Sequence, residues 1–413
     1  MKSSLVWPLS GTISIAAALF LSLTVLGQAS QAVTSFKKDL SAEIVVSRAI
    51  APEAITLSDD GNQMTFIAKT LRDFSSAPPT TAFITKKVNG KWTEPQELQW
   101  HGMVTSIAFA NNDKWLVVSN SHGSVSGYLT ILKNLFGDRE LIGNLENFKH
   151  RIEIYDANRP KNLLFSMDSA TFGLAKPEML KHARISADGK NLAFYTHGVA
   201  EQNGIYIYNF ESKQTRFLGR SDDKHPTFTQ DGSKLLFHMQ SGGNSSTNYG
   251  GPEQSMIGYY DVETGSRTML DSKPEGYVYH KHPSHYPGTD LIFFHGSVDA
   301  ESSKKLFVRR LQVDSTIYKI SDMMFGEVEL KGLKHGNSSS NPTGLYFVGS
   351  PKDAPQIENR VVNPYANSPT TVTVEDVKDI YMISNEDVQK IKRYAVPNPP
   401  AYLLTKPSYL LLK

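Results

Sequence analysis

The chain of 413 residues has no cysteine, which excludes disulfides, thiolate metal ligands, thiol nucleophiles and a lipid-modified cysteine anchor. It also lacks a surplus of either charge. Lys and Arg total 43 against 41 Asp and Glu, a net charge of +2. With no basic run interleaved with aromatics, that balance removes the electrostatic case for nucleic acid. There is no G-x-S-x-G nucleophile elbow and no hydrolase-sized stretch after the repeats described below, so a prolyl-oligopeptidase-type peptidase is excluded too.

Long apolar runs are scarce. The candidate is Trp7 to Leu26 near the start, where Lys2 is a thin positive flank and Ile13 to Leu26 an apolar core. Ser30-Gln31-Ala32 supplies the small residues of a cleavage site. Residues 1–32 are expected to be a signal peptide, the alternative being an uncleaved anchor. The protein is then periplasmic or secreted from a bacterial cell, with no membrane span once the signal is removed.

What the chain does have is a repeated hairpin. His225 to Phe237 reads as a short strand, a tight turn at Asp231-Gly232 and a second strand closing on an aromatic. Asp-Gly between two apolar runs favours a hairpin, because Gly reaches positive φ freely and Asp tolerates it. Ser186 to Phe194 and Ser58 to Phe66 repeat the turn and second strand; Ala108 to Val118, Pro283 to Phe294 and Gly336 to Phe347 are weaker copies. Counting back twelve positions from each closing apolar residue, the frames open on Ala54, Ser106, His182, His225, His282 and His335. The steps are 52, 76, 43, 57 and 53 residues. A period of about 40–55 residues filled with hairpins suits four-stranded propeller blades. The long step places an insertion around Ser119 to Lys149, a lid or a longer hairpin on the rim.

The expected fold is therefore all-β, a six-bladed β-propeller of four-stranded blades over residues 33–384. It becomes seven-bladed if Pro351 to Ser384 forms its own sheet. Ser41 to Ile50 is a strand able to complete the last blade. Asn385 to Tyr394 reads as a helix capped by Asn385, and residues 385–413 as a C-terminal helix and extended tail packed on the propeller. Ser241 to Gly251 is a polar loop. The repeats, with Asn89-Gly90-Lys91-Trp92-Thr93-Glu94-Pro95 closing the first, resemble the PD40 or TolB-type (WD40-like) β-propeller repeat over residues 50–350. The resemblance implies a fold and leaves the function open.

Four of the six frames open with His: His182, His225, His282 and His335, out of twelve His in the chain. Equivalent positions of successive blades lie on a ring around the channel, so these side chains are expected at one mouth. Three or four neutral imidazoles converging there make a divalent-metal site; a structural ring that bonds neighbouring backbone is the alternative. His280, two before His282 in an extended strand, is expected to point the same way. His238 and His295 fall outside the column and read as ordinary surface or packing residues.

The stretch from His225 to Gly232, with His280-Lys281-His282-Pro283-Ser284, locally resembles the oligogalacturonate lyases, propeller enzymes that hold manganese through histidines. That resemblance implies His225, His280 and His282 as metal ligands, a divalent ion such as Mn, and β-elimination on acidic oligosaccharides with the ion as Lewis acid. Tyr277 stands where that family has Gln three residues before its H-x-H, so His182 or His335 would supply the fourth ligand. His182, His335 and Arg184 are the candidates for the catalytic base. The competing reading is a non-catalytic, TolB-like periplasmic binding or scaffold propeller facing a protein partner. Paired-carboxylate chemistry is not supported, because Asp60, Asp188 and Asp231 are turn residues of the repeat.

Overall fold

The computed structural model describes residues 43–394 apart from 50–51, 70–79, 101, 123–148, 176–177, 198–199, 242–253, 271–278, 298–303, 314–316, 321–329, 352–353, 355, 362–370 and 377. The expected signal at 1–32, the body of the 119–149 insertion, the 241–251 loop and the tail after 394 lie outside the described residues.

The chain forms an all-β propeller arrangement of successive antiparallel meanders. The first meander holds Glu53–Leu57, Gln63–Lys69 and Thr80–Val88, the last strand pairing with both Lys91–Trp92 and Gln96–Glu97. Met103–Ala110, Trp115–His122, Lys149–Asp156 and Arg159–Met167 follow, then Met179–Ile185, Asn191–His197, Gly204–Asn209 and Gln214–Gly219. Asp223–Phe228, Lys234–Ser241, Gln254–Asp261 and Arg267–Met269 come next. A single parallel bridge, Ser255 to Tyr279, links them to Tyr279–His285, Leu291–Ser297, Lys305–Arg310 and Tyr318–Lys319. The last sheet holds Leu330–Asn337, Gly344–Pro351, Lys378–Ser384 and, from the other end of the chain, Glu43–Ala49.

The turns explain why the hairpins form where they do. Ser58, Ser186 and Thr229 each donate their side-chain hydroxyl to the aspartate two residues on, at 2.6 Å, and Gly61, Gly189 and Gly232 follow at φ of +69°, +74° and +69°. The hydroxyl–carboxylate clasp fixes the turn and only glycine enters it without strain. Each turn delivers its closing residue inward: Phe66, Val118, Phe194, Phe237, Phe294 and Phe347 are all buried.

The core lies between sheets rather than within one. Leu116 and Val118 pack with Ile67 and Ile84; Val117 and Ile154 with Phe194 and Tyr206; Phe237 and Tyr260 with Ala193 and Ile207; Phe294 with Leu236 and Ile257. Phe293 and Val308 pack with Leu345 and Phe347, and Tyr346 and Val348 with Ile55 and Phe66, which seats the last sheet on the first. Gln356–Val361 and Thr371–Asp376 form only a two-stranded hairpin, while Lys378–Ser384 joins the last sheet. Among the described residues, Pro351 to Ser384 thus contributes this hairpin and one strand of the last sheet.

The helix spans Asn385–Tyr394 as expected, but Ser384 caps it. The Ser384 hydroxyl accepts the Asp387 backbone N–H at 3.2 Å and donates to the Asp387 carboxylate, a capping-box geometry one residue earlier than the sequence suggests. Asn385 instead accepts the Tyr286 hydroxyl proton at 2.9 Å. Among the described residues, no helix is long and apolar enough to cross a membrane.

Candidate functional site

The first strand of each meander lines the channel, and five of these strands share a backbone irregularity. Ala54, His182, His225, His282 and His335 lie in the left-handed region at φ of +50°, +51°, +55°, +53° and +56°. At each, the pairing with the second strand slips. Lys181 faces Tyr195 and Arg184 faces Ala193, so three steps on the inner strand answer two on its neighbour. The same slip brackets Ala54, His225, His282 and His335. A β-bulge of this kind re-aims the extra side chain. A non-glycine residue in this region costs roughly 1–2 kcal/mol, although His tolerates it better than most. Strain recurring at one position points to use.

The bulges bring His182, Arg184, His225, His282 and His335 to the wall of one cavity of about 440 Å³ including its open mouth, with Thr227, Ser284 and Asn337 beside them. Ring centroids of His182 and His225 are 3.8 Å apart, of His225 and His282 4.0 Å, and of His282 and His335 4.5 Å. The column is a contiguous imidazole cluster.

His280 does not join it. The bulge at His282 breaks the alternation that would have aligned the two, and the fully buried His280 ring packs on Phe294, with centroids 4.9 Å apart, over the space left by Gly296. His238 and His295 take part instead, contrary to the expectation from sequence. Each sits one residue after a closing phenylalanine, on the second strand of its sheet. His238 lies 4.5 Å from His225 and 5.2 Å from His282 by ring centroid, and His295 5.0 Å from His282. The backbone N–H of His282 reaches His238 Nδ1 at 3.3 Å, and that of His335 reaches His295 Nδ1 at 3.5 Å. In the same role Ser119 Oγ accepts the Ala183 N–H at 3.1 Å. A polar residue after the closing apolar one thus stitches its sheet to the next inner strand. Reading the alignment one column to the right would have found it.

Burial holds His225, His238, His282 and His295 well below the usual imidazole range; neighbouring histidines add to this at all four, and lysines at His225, His238 and His295. These four imidazoles are neutral at physiological pH. Arg184 donates Nη1 to the Ala183 carbonyl at 2.8 Å, and although burial brings its guanidinium down to about 10 it stays a cation. It cannot serve as a base.

Whether a metal fits turns on the donor set. One nitrogen from each of His225, His238 and His282 lies within 4.8 Å of the others. Three uncharged imidazoles can close on a first-row divalent ion with small ring rotations. An all-nitrogen set suits zinc, nickel or copper better than manganese, which prefers oxygen. With His280 turned away, the lyase-like ligand trio of His225, His280 and His282 is not assembled.

A second column escaped the sequence reading. The residue before each ring histidine is lysine: Lys181, Lys224, Lys281 and Lys334. They share one register, facing Tyr195, His238, His295 and Val348 across the strand pair. The repeated Lys-His dipeptide was the available signal.

The fold and this channel define the chain as a β-propeller with a histidine-lined mouth. No known protein family matches the sequence, and no curated protein does. Solved structures with a similar arrangement include a putative TolB from Agrobacterium tumefaciens, at 13% identity over 66% of this chain and 80% of that one, TM-score 0.42. TolB from Acinetobacter baumannii matches at 14% identity over 79% of this chain and 65% of that one, TM-score 0.43, so the chain spans just under two thirds of that protein. Kuenenia stuttgartiensis hydrazine synthase matches at 11% identity over 76% and 78%, TM-score 0.44.

Proposed function

We propose that this chain is an exported six-bladed propeller that binds a ligand or a protein partner at its histidine-lined channel mouth and does not transform it. The observation that carries the reading is the recurrence of a left-handed histidine in four successive inner strands, His182, His225, His282 and His335. The same bulge recurs at Ala54, but in these four strands it carries an imidazole to the wall of one cavity. Of the groups on this wall that a β-elimination could use as a base, Arg184 stays protonated, and His225 and His282 are held far below the range where imidazole abstracts protons well. Counting each inter-sheet core once around the ring, with Glu43–Ala49 completing the last sheet, supports six blades. The Lys2, Ile13–Leu26 and Ser30-Gln31-Ala32 pattern supports export.

Part of this reading is a divalent ion held by His225, His238 and His282, serving as a binding centre with an open position for a ligand. Equilibrium dialysis of the full chain against zinc, nickel, copper and manganese, with metal content measured afterwards, tests it. About one equivalent of a nitrogen-preferring ion is expected, lost in a folded His225→Ala/His282→Ala variant. No uptake of any of the four removes the metal and leaves partner binding, to be tested by crosslinking in the wild type and the same variant. Turnover of polygalacturonate by the wild type, lost in that variant, would overturn the non-catalytic reading.

A further inference from the structure

Two residues beyond the histidine ring, the inner strands carry a second polar register, and most of it holds neighbouring sheets together. Thr56 Oγ1 donates to the Ile107 carbonyl at 3.4 Å, Ser284 Oγ to that of Gly336 at 2.5 Å and Asn337 Nδ2 to that of Ile55 at 2.7 Å. Each bond runs from one inner strand to the residue just before its equivalent in the next, and the last joins the final sheet to the first. Such bonds satisfy backbone carbonyls that the bulges leave at the seams. The equivalents in the other strands are Ala108, which has no polar side chain, Arg184 and Thr227.

Arg184 and Thr227 depart from this pattern. Among the described residues, Arg184 makes one side-chain hydrogen bond, from Nη1 back to the carbonyl of its own neighbour Ala183 at 2.8 Å, and the Thr227 hydroxyl makes none. The bond to Ala183 fixes the guanidinium and leaves its Nε–Nη2 edge, which can grip a planar carboxylate through two parallel bonds. Both side chains line the cavity, whose wall holds no Asp or Glu and has Arg184 as its one permanent cation. Burial draws that guanidinium down to about 10 with no carboxylate acting against it. A cation on a partly dry wall without a counter-charge costs free energy, which an anion seated on it recovers. The single charge selects among anions. A carboxylate matches one guanidinium in charge and planarity, whereas a phosphate monoester brings about two negative charges, and the second would find no partner on this wall. Ala54, Ile55, Pro226 and Pro283 supply apolar surface for the body of a small ligand.

We propose that Arg184 and Thr227 form a carboxylate-binding site in this cavity, anchoring a small ligand that carries a single carboxylate. The guanidinium grips both oxygens and the threonine hydroxyl donates to one of them. The assignment rests on the reading that the channel mouth binds a ligand, and it does not require the metal. The two seams that lack a cross-strand bond at this register, those after Arg184 and Thr227, are where the ligand sits.

The test is ligand-observed NMR titration of the full chain, in chelator and again after zinc loading. The probes are benzoate, N-acetylglycine as a model of a peptide end, the uncharged amide of each, and phenyl phosphate. At least one acid is expected to bind in chelator and to exceed its amide by roughly tenfold or more; the better acid tells a free organic acid from a chain terminus. Arg184→Gln should weaken that acid by about ten- to a hundredfold and leave the amide unchanged. Arg184→Lys should fall between, and Thr227→Val should weaken the acid less. Zinc uptake by Arg184→Gln should match the wild type, so that the anion site and the metal site are read separately. If Arg184→Gln fails to fold, Arg184→Lys and Thr227→Val decide, each being expected to weaken the acid and spare the amide. Equal binding of acid and amide would overturn the carboxylate anchor and leave the binding reading standing. Binding of no probe, binding only with zinc, preference for phenyl phosphate, or unchanged affinity in the variants would overturn it as well. Crosslinking of the wild type to a partner then shows whether the binding reading survives.

Discussion

Lowering the pH from about 7.5 to about 5.5 should cost the metal-free protein a large part of its stability, well before most carboxylates titrate. His238 is fully buried, and His150 and His295 are each 4% exposed. All three are held below the ordinary imidazole value by burial first, His150 down to about 3, and then by nearby cations and imidazoles. In the unfolded chain each takes a proton near pH 6.5; in the fold it does not. Their stability contribution is therefore whole above about 6.5 and is lost as the pH falls below it, at about 1.4 kcal/mol per pH unit for each. Three such groups remove about 4 kcal/mol by pH 5.5, against a typical total of about 5–15 kcal/mol. His225 and His282 add less, because they border a cavity that admits water. Urea denaturation of the full chain in chelator, followed by tryptophan fluorescence across this range, measures the slope. His238→Asn keeps an acceptor for the His282 N–H and should cut the slope by about a third. A midpoint that does not move with pH, or the same slope in His238→Asn, would refute the reasoning.

Three further outcomes follow from the site and its supports. His280→Ala should leave metal uptake intact while lowering stability by about 2–4 kcal/mol, since it empties a space against Phe294; calorimetry and metal analysis separate the two effects. His335→Gly should raise the melting temperature of the metal-free protein by relieving about 1 kcal/mol of left-handed strain at φ +56°, whereas His335→Val should lower it. Asp223, one residue ahead of the Lys224-His225 pair, is buried and accepts Arg267 Nε and Nη2, each at 2.8 Å, and the Tyr260 hydroxyl at 2.5 Å. Asp223→Ala strands that cation and should cost about 3–5 kcal/mol, seen as a lower urea midpoint.

The turns and their closing aromatics were legible because their causes are local. A hydroxyl, a carboxylate and a glycine within five residues fix each hairpin without help from elsewhere. The histidine column was legible for the same reason, as a repeat at a fixed distance from those turns. What sequence alone could not show was the extra residue in each inner strand, a matter of pairing with a second strand. The bulge at His282 turned His280 from an expected ligand into a core side chain. His238 and His295 were missed because a histidine next to a buried phenylalanine looks like packing until the next sheet's backbone N–H is brought against it. The helix cap moved from Asn385 to Ser384 because both residues can cap, and the choice depends on where the preceding strand ends.

Pairing Glu43–Ala49 with Lys378–Ser384 makes the two ends of the propeller meet, and this has a consequence for the order of assembly. More than three hundred residues separate the partners, and closing a loop of that length costs about 5 kcal/mol in chain entropy. That cost falls due in one step, when the final strand exists. A chain still being made, or stalled before Lys378, carries its first strand with no partner and leaves the growing stack open at an unpaired edge, the kind of surface on which other chains add. The ring is a latch that shuts only once Lys378–Ser384 has been made.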